Sequence, residues 1–185
     1  MSHDPRPAVF LDRDGVINRN FLRDGVSCPP LTPEEFEFLP GVAEAARRLK
    51  EAGYVLVVVS NQPDVARGST TRERVERLND LVRAALPVED VLCCFHDRGD
   101  GCDCRKPLPG MLLEAARRWR LDLGRSFMVG DRLTDVLAGQ AAGCRTVLVA
   151  AAFAGAGDSK PDHRAADLAA AAEWILSQPS CRGEA

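Results

Sequence analysis

Residues Phe10–Asn18 read FLDRDGVIN. This places two aspartates, Asp12 and Asp14, at the end of an apolar run and just before a glycine. Like charges that close repel, and each carboxylate costs free energy to remove from water. A cation, a reaction or exposure to solvent must compensate. Comparable positions recur along the chain. Ser60, Asn61 and Gln62 follow the run YVLVVV, Arg105-Lys106-Pro107 follows a cysteine-rich loop, and Gly130-Asp131-Arg132 follows SFMV, with Asp135 one helical turn later. Acids, one hydroxyl and one lysine together suit phosphoryl transfer. Mg²⁺ takes oxygen ligands and commonly shares them with phosphate, and Asp12, Asp14 and Asp131 are the candidate ligands. Asp12 is placed to attack phosphorus and form an aspartyl-phosphate. Asp14 would protonate the leaving oxygen and then deprotonate the attacking water. Ser60 and Lys106 would hold the transferred group and its charge. Taken singly, these residues also have plainer readings: loop acids beside a turn glycine, a turn serine, a surface lysine. Asp135 reads as an orienting residue or a cap for the helix after it.

A second cluster lies at Cys94–Cys104, CFHDRGDGCDC. Cys94 and His96 are two apart, as are Cys102 and Cys104, so each pair points one way along an extended arm. The turn-rich residues between them let the chain fold back. Three thiolates and one imidazole suit tetrahedral Zn²⁺ with no open position, a structural site rather than a catalytic one. It runs directly into Lys106, so zinc would preorganise the lysine rather than activate water. Cys93 faces the opposite side of its strand and reads as core, with substitution for Cys94 as the alternative, and Cys28, Cys144 and Cys181 have no partners in spacing.

These residues need a scaffold that gathers them, and the hydrophobic pattern supplies one. Apolar runs at Ala8–Leu11, Tyr54–Val59, Val91–Phe95, Ser126–Val129 and Thr146–Val149 read as strands. The β-branched continuity of the second is that of a strand covered on both faces. Helical spacing predicts helices over Gly41–Ala52, from Thr70 or Thr71 to Leu86, Gly110–Leu121, Leu133–Ala142 and Ala166–Leu176. Strand and helix alternate, so the fold class is α/β: a doubly wound parallel sheet flanked by helices, in one domain with a core near residues 8–150. Ligands in such folds bind at the carboxyl ends of the strands, where the acids and the lysine fall. Ser180–Ala185 reads as a frayed tail.

The chain has 185 residues, 45% of them hydrophobic, and a net charge of −3. This is the composition of a globular domain and offers no basic field for nucleic acid. No apolar stretch reaches the roughly 18 residues that span a membrane. The N-terminal residues lack a basic segment followed by an apolar one. Seven cysteines without a leader argue for metal or thiol chemistry rather than a disulfide framework. The expectation is a cytoplasmic monomer.

Four motifs in this order resemble the haloacid dehalogenase (HAD) superfamily of phosphohydrolases: Asp12-Arg13-Asp14-Gly15, Ser60, Lys106, and Gly130-Asp131 with Asp135. The stretches VVVSNQPDVARG, CFH…CDCRKPLPGM and MVGDRLTDV are further similar to its branch of heptose-bisphosphate and histidinol-phosphate phosphatases, which carry a zinc loop and no cap domain. The resemblance implies a small phosphorylated sugar as substrate, with Mg²⁺ and Zn²⁺ as cofactors. It also implies that Arg105 recognises the substrate, that Asn61 sits beside the transferred phosphate, and that Arg132 occupies a place often held by lysine. Pro63-Asp64 and the stretch Leu22–Pro33 depart from the usual heptose pattern. A receiver-like phospho-aspartate module shares the acidic pocket, but Asp14, a second acid able to activate water, speaks against it.

Overall fold

The computed structural model describes residues 4–23, 25–149 and 160–178. The expected tail 180–185, with Cys181, lies outside them. Among the described residues six parallel strands form the sheet: β1 (Ala8–Leu11), β4 (Val55–Asn61), β5 (Asp90–Cys94), β6 (Phe127–Gly130), β7 (Arg145–Val149) and β8 (His163–Ala165), in the order β5-β4-β1-β6-β7-β8. Between β1 and the first helix lie a two-stranded hairpin, β2 (Phe21–Arg23) and β3 (Val26–Cys28), and a 3₁₀ turn at Pro33–Glu35. The helices are α1 (Val42–Glu51), α2 (Arg72–Ala85), α3 (Gly110–Trp119), α4 (Leu133–Ala142) and α5 (Leu168–Ser177).

Alternation along the strands builds two cores. Val9, Leu11, Leu56 and Val58 point to the face covered by Val42, Ala46 and Leu49 of α1 and by Leu168, Ala171 and Ile175 of α5. Ala8, Phe10, Val55, Val57 and Val59 point to the other face, under Met111, Leu112 and Ala115 of α3 and Ala138 of α4. A fully buried leucine such as Leu49 contributes about 1.5–3 kcal/mol. The helix ends follow local chemistry. The Thr71 hydroxyl accepts from Arg74 N at the start of α2, and the Asp167 carboxylate accepts from Ala170 N at the start of α5. Gly143, at φ 84°, ends α4.

The doubly wound parallel fold is as expected. The hairpin β2–β3 and the edge strand β8 were not expected. Each is three residues long, too short for a period to show. β4 also runs two residues further than the apolar run, so Ser60 and Asn61 are its last rungs rather than a following loop. The chain leaves β1 toward β4 and β5, then returns to β6 on the other side of β1. That reversal opens a crevice at the carboxyl end of β1.

Candidate active site

β1 delivers Asp12 into this crevice, where the Asp12 amide donates to Val129 O at 2.9 Å. The chain then turns tightly, with the amides of Ile17 and Asn18 both donating to Arg13 O. Gly15 sits in this turn at φ +93°, and a Cβ there would collide with the Asp131 carboxylate. Gly130 answers the same demand from β6, since a Cβ on it would collide with the Asp135 side chain. Two glycines thus let Asp12, Asp131 and Asp135 approach one another.

Lys106 is the counter-charge. Its Nζ donates to Asp12 Oδ1 at 2.8 Å and Val59 O at 2.8 Å, and pairs with Asp135 Oδ1 at 2.6 Å. All three of its protons therefore have acceptors, although the residue is only 3% exposed. Burial alone would push its pKa down, but Asp12 and Asp135 outweigh that and raise it. The acids move the other way. Burial, opposed by Lys106 and reinforced by Asp135 and Asp14, raises Asp12 to about 6. Burial, then Asp12 and Asp135, raises Asp131 to about 8.

One lysine does not neutralise three buried carboxylates. Oxygens of Asp12, Asp131 and Asp135 lie within 4.8 Å of one another, and Asp131 Oδ1 is buried without a hydrogen-bond partner. Hard oxygen donors, surplus negative charge and an unsatisfied oxygen fit a cation such as Mg²⁺. The linkage has a definite sign. Two acids whose folded pKa lies above the ordinary 3.8 bind protons that the unfolded chain does not. Without added Mg²⁺, stability should therefore fall as pH rises from about 4 to about 8, and saturating Mg²⁺ should flatten that slope. Melting curves across this range, with and without the cation, are the check.

Asp14, expected as a third ligand of that cation, has its carboxylate outside the cluster, and Asp135 stands there instead. The reason is the set of donors that already holds Asp14. Arg13 Nε and Nη2 donate to it at 3.2 and 3.1 Å, Asn18 Nδ2 at 3.0 Å and Gln62 Nε2 at 2.6 Å. Gln62 also donates to Ser60 Oγ at 2.9 Å, which ties the second expected motif to the first. Asn61 pairs with the lysine's own backbone: its Nδ2 donates to Lys106 O and its Oδ1 accepts from Lys106 N, both at 3.0 Å. It therefore positions Lys106 at the edge of the cavity. Asp135 both caps α4, accepting from Arg132 N at 3.0 Å, and grips Lys106.

Cys94, His96, Cys102 and Cys104 do converge. Cys94 Sγ lies 3.1 Å from Cys104 Sγ and 3.8 Å from Cys102 Sγ, and His96 Nδ1 lies 3.3 Å from Cys104 Sγ. A tetrahedron built on Zn–S bonds of about 2.3 Å and Zn–N bonds of about 2.0 Å has edges of about 3.5–3.8 Å, which the Cys94–Cys102 and His96–Cys104 separations match and the Cys94–Cys104 pair undercuts. Burial and the neighbouring thiols push Cys104 up to about 12, so three thiolates together require a cation. The donor set fits Zn²⁺. Cys93, on the other side of β5, instead accepts from Asn79 Nδ2 at 3.3 Å.

Above the acids opens a cavity of about 1160 Å³, walled by the hairpin β2–β3, the zinc loop and the start of α4. Its rim carries Arg67, Arg98, Arg105 and Arg132. Arg105 donates to His96 O at 2.9 Å, and Arg67 makes a two-pronged contact with Asp97 at 2.7 and 2.8 Å. Sequence reasoning missed Arg13, Asn18 and Asn79 as parts of the site. Of these only Asn79 left a trace, an amide on the apolar stripe Val75, Leu78, Val82 of α2.

Residues 103–171 match the family described as HAD-hydrolase-like. The D-glycero-beta-D-manno-heptose-1,7-bisphosphate 7-phosphatase of Salmonella typhi is 37% identical, over 92% of this chain and 90% of that protein. The D-glycero-D-manno-heptose-1,7-bisphosphate 7-phosphatase of Thermosynechococcus vestitus is 39% identical, over 94% and 97%. Among solved structures, the D,D-heptose 1,7-bisphosphate phosphatase of B. bronchiseptica, complexed with magnesium and phosphate, superposes with a TM-score of 0.78 at 36% identity, over 92% of this chain and 98% of that one. An acidic crevice closed by a buried lysine, on a doubly wound sheet shared with these relatives over nearly the whole chain, makes this protein a member of the HAD-type phosphatase family.

Proposed function

We propose that the chain removes the 7-phosphate of D-glycero-D-manno-heptose 1,7-bisphosphate, or of a closely related small sugar bisphosphate. The observation that carries this reading is the burial of Asp12, Lys106 and Asp135 at the floor of an arginine-rimmed cavity, with Asp131 in the same carboxylate cluster. The names of the relatives supply the substrate. Mg²⁺ held by Asp12 and Asp131, with Asp135 beside them, would neutralise charge on the transferred phosphoryl group. The remaining steps belong to the chain. Lys106 holds Asp12 in one rotamer, and an Asp12 oxygen attacks phosphorus as the P–O bond to the sugar breaks. Asp14 gives its proton to the leaving oxygen. It then takes one from the water that attacks the aspartyl-phosphate, releasing phosphate and restoring Asp12. Ser60 donates to the phosphoryl oxygens, while Arg105 and Arg132 bind the anionic substrate at the rim. No helix among the described residues is long and apolar enough to cross a membrane, and the substrate is a small polar solute.

The test is phosphate release from the heptose bisphosphate, with histidinol phosphate and fructose 1,6-bisphosphate alongside, each with and without Mg²⁺. A preference of tenfold or more for the heptose bisphosphate, lost without Mg²⁺, is expected. Equal turnover of histidinol phosphate would reject the substrate and leave the phosphatase.

Zn²⁺ at Cys94, His96, Cys102 and Cys104 would act at a distance, by fixing the loop that ends in Lys106. Cys104→Ser should release zinc and lower both stability and turnover. A loss of about 3 kcal/mol would lower Tm by about 6–12 °C in a chain of this size. Metal analysis and a melting curve on the same sample test it, and an unchanged zinc content would remove the assignment.

A further inference from the structure

α2 buries an amide among its apolar side chains. Val75, Leu78, Asn79 and Val82 form the inward stripe, and Asn79 is fully buried in it. A side chain there loses its bonds to water, so its partners say why it is tolerated. Asn79 Oδ1 accepts from Arg13 Nη1 at 2.8 Å, and its Nδ2 donates to Cys93 Sγ at 3.3 Å. Arg13 is itself fully buried, a guanidinium with no exposure at all. Its other edge, Nε and Nη2, forms a two-pronged bond to Asp14. The guanidinium is planar, so fixing one corner fixes the plane of the fork. Asn79 therefore determines where the fork points, and the fork determines the plane of the Asp14 carboxylate. Cys93 in turn fixes which way the Asn79 amide faces.

We infer that Asn79 is a positioning residue for proton transfer: through Arg13 it aims the Asp14 carboxylate at the leaving oxygen. The inference rests on the reading of Asp14 as the acid and base. It predicts a selective defect. A sugar phosphate leaves as a poor alkoxide and needs its proton during cleavage, whereas an activated aryl phosphate leaves without one. The value of kcat/KM covers only the steps up to attack by Asp12. Misaiming Asp14 should therefore lower kcat/KM for sugar phosphates while leaving it nearly intact for p-nitrophenyl phosphate.

Asn79→Leu keeps the branched shape and the number of heavy atoms, at somewhat greater bulk, and removes the acceptor for Arg13. It should lower kcat/KM for the sugar phosphate by about 10–100-fold, the scale of a misplaced catalytic group, and that for p-nitrophenyl phosphate by less than threefold. Asn79→Asp keeps the acceptor and should restore the wild-type ratio. If the leucine variant does not fold, Asn79→Ala carries the same expectation. Equal losses on both substrates, as from a smaller folded fraction, would overturn the inference, and so would no loss on either. Asp14→Asn, run in parallel, separates the two failures. If Asp14→Asn splits the substrates and the Asn79 variants do not, the relay is wrong. If Asp14→Asn does not split them, the role of Asp14 itself is wrong.

Discussion

Asp12→Asn should reduce phosphate release by at least about 10⁴-fold, the scale on which removal of a nucleophile is felt. The substitution keeps size and shape. Its amide oxygen can still accept from Lys106 Nζ, which now sits 2.8 Å from Asp12 Oδ1. What it loses is the negative charge that makes an Asp12 oxygen nucleophilic toward phosphorus. Stability should move in the opposite direction. Asp12, Asp131 and Asp135 are buried and crowded together, and the pKa values of about 6 and about 8 record first what burial of the charge costs and then what that crowding adds. Removing one charge relieves the other two, so without Mg²⁺ the variant should melt at or above the wild-type temperature near pH 8. A phosphate assay and a melting curve read both halves. An Asp12→Asn protein that keeps more than about 1% of wild-type turnover would show that phosphorus is attacked by some other group.

Lys106→Met should have the largest effect on stability. Methionine fills the stem of the lysine but leaves Asp12, Asp131 and Asp135 without their one buried cation. Breaking a buried ion pair on one side costs about 3–5 kcal/mol, or a fall in Tm of about 6–20 °C in a chain of this size. Two conditions should rescue it. Acid lets the carboxylates take up protons, so the gap from wild type narrows below about pH 6. Mg²⁺ supplies a replacement cation, so it should stabilise the variant more than it stabilises wild type. A gap that stays constant from pH 5 to pH 8 would mean that packing, not charge, accounts for the loss.

Much of this site is visible in the sequence because chemistry sits at strand ends. Asp12, Asp131, Lys106 and the four zinc-type ligands are short-range signals, each next to an apolar run or a turn. The structure brings Asp12, Asp131 and Lys106 into one cluster and the four Cys and His side chains into another. Asp135 was underrated because a residue one turn into a helix looks like a cap. It is a cap, but the same side chain turns back onto Lys106. Arg13 was passed over because an arginine between two aspartates normally reaches solvent, and only the position of Asn79 on α2, which accepts from Arg13 Nη1, reveals that it is buried. The hairpin β2–β3 and strand β8 went unseen because three residues carry no period.

The Asn61 amide, bonded on both edges to the backbone of Lys106, has a consequence for how such a protein can change. In register Asn61 lies opposite Cys94, the first residue of the zinc loop, and its side chain holds Lys106, just past the last zinc-type ligand. The excursion from 94 to 106 is thus stitched shut at its base, independently of what its outer turn contains. Residues 97–101 and the hairpin above them can then lengthen, shorten or change charge without the lysine moving against Asp12. Selectivity can drift at the rim while the reaction below stays the same, which is how one catalytic floor can come to serve several phosphorylated metabolites.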